Sequence, residues 1–111
     1  MEVLLEQGPS SGVVPDLPEK RQFPAVASIG DKVFLCGGLN WSGLEATETC
    51  FYYSFVKQNW TRMNESLPSG PLSRSVGVAA YWDFYVIGGE TTSKEATNAV
   101  MLLLSTLSLT F

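Results

Sequence analysis

Histidine is absent from this chain of 111 residues, and cysteine occurs only twice. Histidine is the commonest general base and the commonest metal ligand in proteins, so both kinds of site lose their usual residue. Two cysteines without histidine form no usual metal site. The chain also lacks clustered carboxylates. We therefore expect no catalytic residue, no metal and no cofactor, and predict that the chain is not an enzyme.

Basic charge and long apolar runs are also scarce. The seven lysines and arginines are scattered, apart from the pair Lys20-Arg21, and the net charge is −4. Nucleic-acid-binding proteins carry a basic patch or stripe, so we expect no nucleic-acid partner. The most apolar stretch, residues 99–111, is interrupted by serine and threonine and is shorter than the roughly 20 residues of a membrane-spanning helix. We expect a strand or a truncated tail there, and no membrane partner.

What the sequence does contain is a tandem repeat. Residues 33–38 read VFLCGG, and residues 84–89 read FYVIGG. The same offset of 51 residues aligns the small, apolar residues 25–29 with residues 76–80, and it aligns Trp60 with Phe111. Repeats of this length indicate stacked or ring-shaped repeat architectures.

Each unit is predicted to contain short β-strands and no helix. Runs of apolar, β-branched and aromatic residues bounded by glycine, proline and asparagine are typical of strands. The predicted strands are residues 25–29, 33–36, 49–56 and 60–63 in the first unit, and residues 76–80, 84–87 and 99–104 in the second. We divide the chain into a loop-rich lead-in (1–20), a first repeat (21–70) and a second repeat (71–111) that is truncated in its last strand.

The first unit resembles the kelch repeat of β-propellers, in which an arginine, a strand ending in Gly-Gly, a tyrosine and a tryptophan recur. In this chain the corresponding residues are Arg21, Gly37, Gly38, Tyr53 and Trp60. The second unit keeps Gly88 and Gly89, but it has Leu72, Leu104 and Phe111 where arginine, tyrosine and tryptophan are expected. The resemblance implies an all-β fold, a partial β-propeller of about two four-stranded antiparallel kelch blades.

The resemblance also implies roles for the matched residues. The glycines would let strands or blades approach closely, and Tyr53 and Trp60 would fill the gap between neighbouring blades. Arg21 would pair with Glu48 or another carboxylate between blades, or else be solvated. In the family, ligands meet the loops at one end of the propeller, which here include residues 39–48 and 90–98. Aromatic residues anchor interfaces, so Trp41 is the candidate partner contact unless it folds back onto its own blade.

The function that the resemblance implies is non-catalytic protein-protein interaction. The amino-acid sequence of residues 53–63 is similar to that of animal kelch-like proteins. In those proteins a BTB domain recruits a cullin ubiquitin ligase, and the propeller holds the substrate. Nothing in this chain resembles a BTB domain, so the ligase-adaptor role rests on family analogy. The alternatives are a fragment of a kelch-type enzyme and a piece of a secreted adhesion or receptor protein.

The cysteines and the N-terminus bear on localisation. We interpret Cys36 and Cys50 as buried free thiols in a reducing cytosol, although neighbouring antiparallel strands would bring the two sulfurs close. The first residues, MEVLLE, lack the basic and long apolar segments of a signal peptide. We predict a cytoplasmic protein in which three glycosylation sequons, at Asn40, Asn59 and Asn64, are unused.

Two units are too few to close a propeller, which uses roughly 4–8 blades. Three hypotheses follow: the chain is a fragment, it assembles with copies of itself to complete a propeller, or it is a weakly stable remnant. The sequence does not identify the protein partner.

Overall fold

The computed structural model describes residues 3–4, 13–43 and 45–105. They form nine strands: β1 (Val3–Leu4), β2 (Val13–Val14), β3 (Ala25–Ile29), β4 (Lys32–Cys36), β5 (Thr49–Ser54), β6 (Asn59–Ser66), β7 (Val76–Ala80), β8 (Asp83–Ile87) and β9 (Val100–Ser105). Within these ranges, no helix is long and apolar enough to cross a membrane.

The strands form two antiparallel sheets and one short ribbon. The first sheet has the order β3-β4-β5-β6, and the second sheet has the order β7-β8-β9. The two-residue strands β1 and β2 pair with each other and make the ribbon. This architecture confirms the predicted all-β fold of two repeated antiparallel units. The predicted start of a fourth strand in the second unit, together with Phe111, lies outside the described residues.

The first strand of each unit has the predicted bounds, whereas the third strand of the first unit is shorter than predicted. Residues 55 and 56 were assigned to it because they are apolar, but the hairpin turn contains them. Ser54 closes this turn, since its carbonyl accepts from the Gln58 amide (2.7 Å) and its hydroxyl accepts from the Lys57 amide (3.1 Å). The next strand is correspondingly longer, at eight residues rather than the predicted four.

The main core lies between the two sheets. Alternate side chains of a strand point to opposite faces, so β4 directs Phe34 towards the second sheet and β8 directs Phe84 back. Both rings are fully buried, and their centroids lie 5.6 Å apart. The other buried members of this cluster are Ala25, Ile29, Cys36, Cys50, Met63, Leu67, Leu72, Val86, Met101 and Leu103. Each large apolar side chain buried here contributes about 1.5–3 kcal/mol to folding.

The linker between the sheets is hydrogen-bonded to both of them. The Leu72 amide donates to the carbonyl of Thr47 (3.0 Å), and the Leu72 carbonyl accepts from the amide of Gly38 (2.8 Å). The next residue, Ser73, exchanges two backbone hydrogen bonds with Glu90 of the second unit (2.9 and 2.8 Å). The linker therefore holds the second sheet in a defined position against the first.

Strands β3 and β7 approach each other closely where the two sheets meet. A methyl group on Gly77 would lie 2.6 Å from the carbonyl oxygen of Val26 and 2.7 Å from its amide nitrogen. Real Cβ atoms do not approach backbone atoms so closely, and a backbone atom cannot rotate away as a flexible side chain can. Glycine at position 77 is thus a condition for this packing of the sheets.

We expect Gly77→Ala to lower the free energy of unfolding by about 1–3 kcal/mol, because the added methyl group overpacks the contact with Val26. Urea denaturation followed by circular dichroism measures the change. Ala79→Ser serves as the control, since it adds one atom at an exposed position of the same strand. An unchanged midpoint for Gly77→Ala would contradict the close approach.

Candidate interaction surface

A Gly-Gly pair follows each of the strands β4 and β8. The two pairs lead into the loops of residues 39–48 and 90–98. Gly37 has a φ of 68°, and a Cβ there would lie 2.6 Å from the carbonyl oxygen of Leu72. A side chain at this position would displace the linker between the sheets. Gly38, Gly88 and Gly89 also have positive φ values. The glycine pairs thus turn both strands outwards at the same end of the molecule.

The two loops contact each other and border a small cavity. The Ala46 amide donates to the Thr92 hydroxyl across 3.1 Å, which joins the loop of the first unit to that of the second. A cavity of about 150 Å³ lies beside this contact and is lined by polar groups that include Arg74, Glu90 and Lys94. In the described part of the chain, no group of three or more cysteine, aspartate or glutamate side chains could hold a metal ion.

Trp41, the predicted contact residue, lies in the first loop with 65% of its surface exposed. The ammonium group of Lys20 lies 4.3 Å from the centroid of its ring. An exposed tryptophan beside a cation offers a partner both apolar area and a positive charge. The indole therefore does not fold back into the core of its own sheet.

A second exposed aromatic residue, Phe23, lies at the same end of the sheets. Its ring is 51% exposed, and the guanidinium carbon of Arg74 lies 4.0 Å from the ring centroid. The Arg74 amide donates to the Phe23 carbonyl (2.9 Å), and its side chain pairs with Glu90 (3.8 Å). Sequence analysis did not single out this pair. The two residues lie in different units, so no local pattern in the sequence indicated that they would meet.

Arg21 is buried and does not contact Glu48, and the hypothesis of a solvated arginine is wrong. Its guanidinium donates to the hydroxyl of Thr47 (2.8 Å) and to the hydroxyl of Thr49, and it pairs with the carboxylate of Glu19 (2.6 Å). Alternate residues of an extended chain point the same way, so the two threonines face Arg21 while Glu48 points to solvent. Arg21 thus ties the lead-in to the first sheet.

Tyr53 and Trp60 lie on the face of the first sheet that points away from the second sheet. Their ring centroids are 5.4 Å apart. The indole nitrogen of Trp60 donates to the carbonyl of Pro15 in the lead-in (2.7 Å). The space between the two described sheets is filled by Phe34 and Phe84 instead.

The two cysteines form a disulfide, so their interpretation as free thiols is wrong. Cys36 and Cys50 are directly opposite each other in the β4–β5 register, with Cα atoms 4.1 Å apart. The Gly37 amide donates to the Thr49 carbonyl (3.1 Å), which makes the neighbouring cysteines a non-hydrogen-bonded pair. Pairs of this kind bring Cα atoms closest in antiparallel sheets.

The arrangement is that of two neighbouring propeller blades, and comparisons with known proteins agree. Residues 20–66 match the family model of the Kelch motif, so the first unit carries this motif. The solved structure of YjhT is similar to the chain, with a TM-score of 0.67 and 20% sequence identity. The match covers 83% of this chain and 28% of the YjhT chain. No curated protein matches the sequence. The fold therefore resembles a fragment of a kelch propeller.

We expect Arg21→Met to lower the free energy of unfolding by about 2–4 kcal/mol, because it leaves buried hydrogen-bond acceptors without their charged donor. Chemical denaturation measures the loss. Arg62→Met is the matched control, since Arg62 is an exposed arginine of the same sheet and its replacement should cost less than about 0.5 kcal/mol. Equal effects of the two changes would show that the Arg21 network does not stabilise the fold.

Proposed function

We propose that the chain is a non-catalytic protein-interaction unit that binds its partner at the loop end of the sheets. The observation that carries this proposal is the placement of two exposed aromatic rings, each beside a cation, at one end of a rigid scaffold. We call this the loop-end surface; it comprises Lys20, Phe23, Trp41, Arg74 and Lys94. Kelch repeats typically mediate protein-protein interaction, which supports a binding role for the unit that carries the motif.

The chemistry of the loop-end surface indicates what kind of partner segment it suits. The charge there is mixed, because Glu90 pairs with Arg74 and two further glutamates, Glu45 and Glu95, lie in the same two loops. Aromatic and arginine side chains are enriched among the residues that carry most binding energy in interfaces. We therefore expect the partner to present apolar or aromatic side chains to Phe23 and Trp41.

The finer proposal is that the chain is part of a substrate-recognition propeller of a cytoplasmic, cullin-based ubiquitin ligase adaptor. What supports it is the similarity of residues 53–63 to kelch-like proteins. The domain that recruits the ligase would have to be supplied by sequence outside these 111 residues, because nothing in them resembles a BTB domain.

The disulfide favours a second candidate, a piece of a secreted adhesion or receptor protein. Disulfides persist in oxidising compartments and are rare in the cytosol. The sequon residues Asn59 and Asn64 are exposed on β6, where a glycan would have room. Asn40 is less exposed than these two residues. Its side-chain oxygen accepts a hydrogen bond from the Ser42 hydroxyl (2.7 Å).

We expect Trp41→Ala to weaken partner binding by roughly 30-fold, the loss typical of an aromatic hot spot. The immobilised chain is incubated with cell extract, and captured proteins are quantified by mass spectrometry. Val56→Ala is the control, because Val56 is 76% exposed in the hairpin turn at the opposite end of the first sheet. Proteins lost with Trp41→Ala but retained with Val56→Ala support the loop-end surface. Equal capture by both variants would contradict it.

The second candidate is tested by the state of the cysteines in cells. If the protein is secreted, rapid alkylation before lysis leaves Cys36 and Cys50 unlabelled, and glycosidase treatment lowers the mass of the chain. If it is cytoplasmic, both thiols are alkylated and the mass is unchanged. Because the disulfide joins β4 to β5, replacing both cysteines by alanine is expected to cost about 3 kcal/mol of stability, the usual value for a loop of about 15 residues.

A further inference from the structure

The outer faces of the two sheets differ in how they are covered. In the described part of the chain, the face of the second sheet that points away from the first is mostly apolar and partly exposed. We call it the open face; it consists of Val76, Val78, Tyr85, Ile87, Val100 and Leu102, which are paired across β7, β8 and β9. Four of these side chains, those of Val76, Ile87, Val100 and Leu102, are between 36% and 65% exposed. Asp83 lies at the edge of this set, since alternate residues of β8 share a face.

The outer face of the first sheet is instead buried. Leu35 and Phe51 on this face have 0% and 2% of their surface exposed. Leu17 from the lead-in is itself 4% exposed and packs against both. Two residues earlier, the Pro15 carbonyl accepts the hydrogen bond from Trp60. We call residues 15–17 the plug, because they lie against this outer face.

The plugged face and the open face are complementary halves of an interface that the molecule already contains. Between its own sheets, the Phe34 side of the first packs on the Phe84 side of the second. The cross-strand pair Phe34–Tyr52 of the first sheet corresponds to the pair Tyr85–Leu102 on the open face. On the other side, the pair Val86–Met101 of the second sheet corresponds to the pair Leu35–Phe51 on the plugged face. The open face of one copy therefore matches the plugged face of another in the same way that the two sheets match within one copy.

We propose that the plug controls head-to-tail self-assembly of this chain. While residues 15–17 lie on the first sheet, the open face of a second copy has no place to pack. When they leave, copies associate through the same kind of contact that joins the two sheets, and successive copies can close a ring. This inference concerns the sheet faces and is independent of partner binding at the loop end.

The plug belongs to the same chain as the face that it covers, which favours it over a second copy. It is joined to Arg21, which is anchored through Glu19, Thr47 and Thr49. A segment on a short linker has an effective concentration in the millimolar range. A second copy at lower concentration therefore does not displace the plug unless the plug is weakened.

The test compares the solution mass of Leu17→Asp with that of the unaltered chain by light scattering over a concentration series. We expect the unaltered chain to keep the mass of a single copy. Leu17→Asp should at least double the average mass, with a rise as concentration increases. Asp16→Ala, at an exposed neighbouring position, is the matched control and should keep the single-chain mass.

A second change identifies the surface that associates. Adding Leu102→Lys to Leu17→Asp places a charge on the open face and should return the mass to that of one chain. Trp60→Phe provides a milder release, because it removes the hydrogen bond to Pro15 and keeps an aromatic ring on the sheet. It should shift the mass in the same direction even if Leu17→Asp fails to fold.

Three outcomes overturn the proposal. In the first, folded plug variants remain single chains at every concentration. In the second, Leu102→Lys does not reverse the association, so that the open face is not involved. In the third, the unaltered chain is already as associated as the plug variants, so that the plug controls nothing.

Discussion

The packing of one sheet on the other through Phe34 and Phe84 is the interaction on which the rest of this structure depends. Neither sheet has an apolar interior of its own, because a single layer of strands buries a face only against another layer. The contact requires β3 and β7 to approach at Gly77. It also requires the linker, in which Leu72 bonds to the first unit and Ser73 to the second. These conditions place the two loops side by side and thereby create the loop-end surface.

The first unit carries additional interactions that the second lacks among the described residues. Arg21 donates hydrogen bonds to the hydroxyl groups of Thr47 and Thr49 and pairs with Glu19 of the lead-in. A disulfide joins Cys36 of β4 to Cys50 of β5. The second unit has leucine at position 72 where the first has Arg21. That leucine is buried in the core between the sheets, so the same repeat position serves a polar network in one unit and apolar packing in the other.

The outer faces of the two sheets also differ from each other. A propeller blade has an apolar surface on each side, and two blades leave one such surface at each end. The lead-in lies over one of them through Leu17 and Pro15, whereas the other remains exposed around Val100. Among the described residues, one outer face is thus buried and the other is partly exposed.

Much of the fold could be predicted from the sequence, because strand formation and the repeat depend on local patterns. Alternating or continuous apolar residues, glycine pairs and a constant offset of 51 residues were sufficient to locate the strands and to predict an all-β pair of units. The errors arose at positions where the residue type favours one kind of secondary structure and the chain adopts another. Phe55 and Val56 favour strands by composition but lie in a turn that Ser54 closes.

The candidate site was predictable only in part. Trp41 was identified from its residue type and its loop, whereas the pairing of Phe23 with Arg74 needed two segments that meet only after the sheets pack. The partner of Arg21 and the disulfide likewise depended on strand register, which decides the face and the neighbour of every side chain. The sequence by itself therefore determined the strands, the repeat and the fold class. The tertiary structure decided which side chains meet, because contacts between distant residues follow from how the sheets are placed.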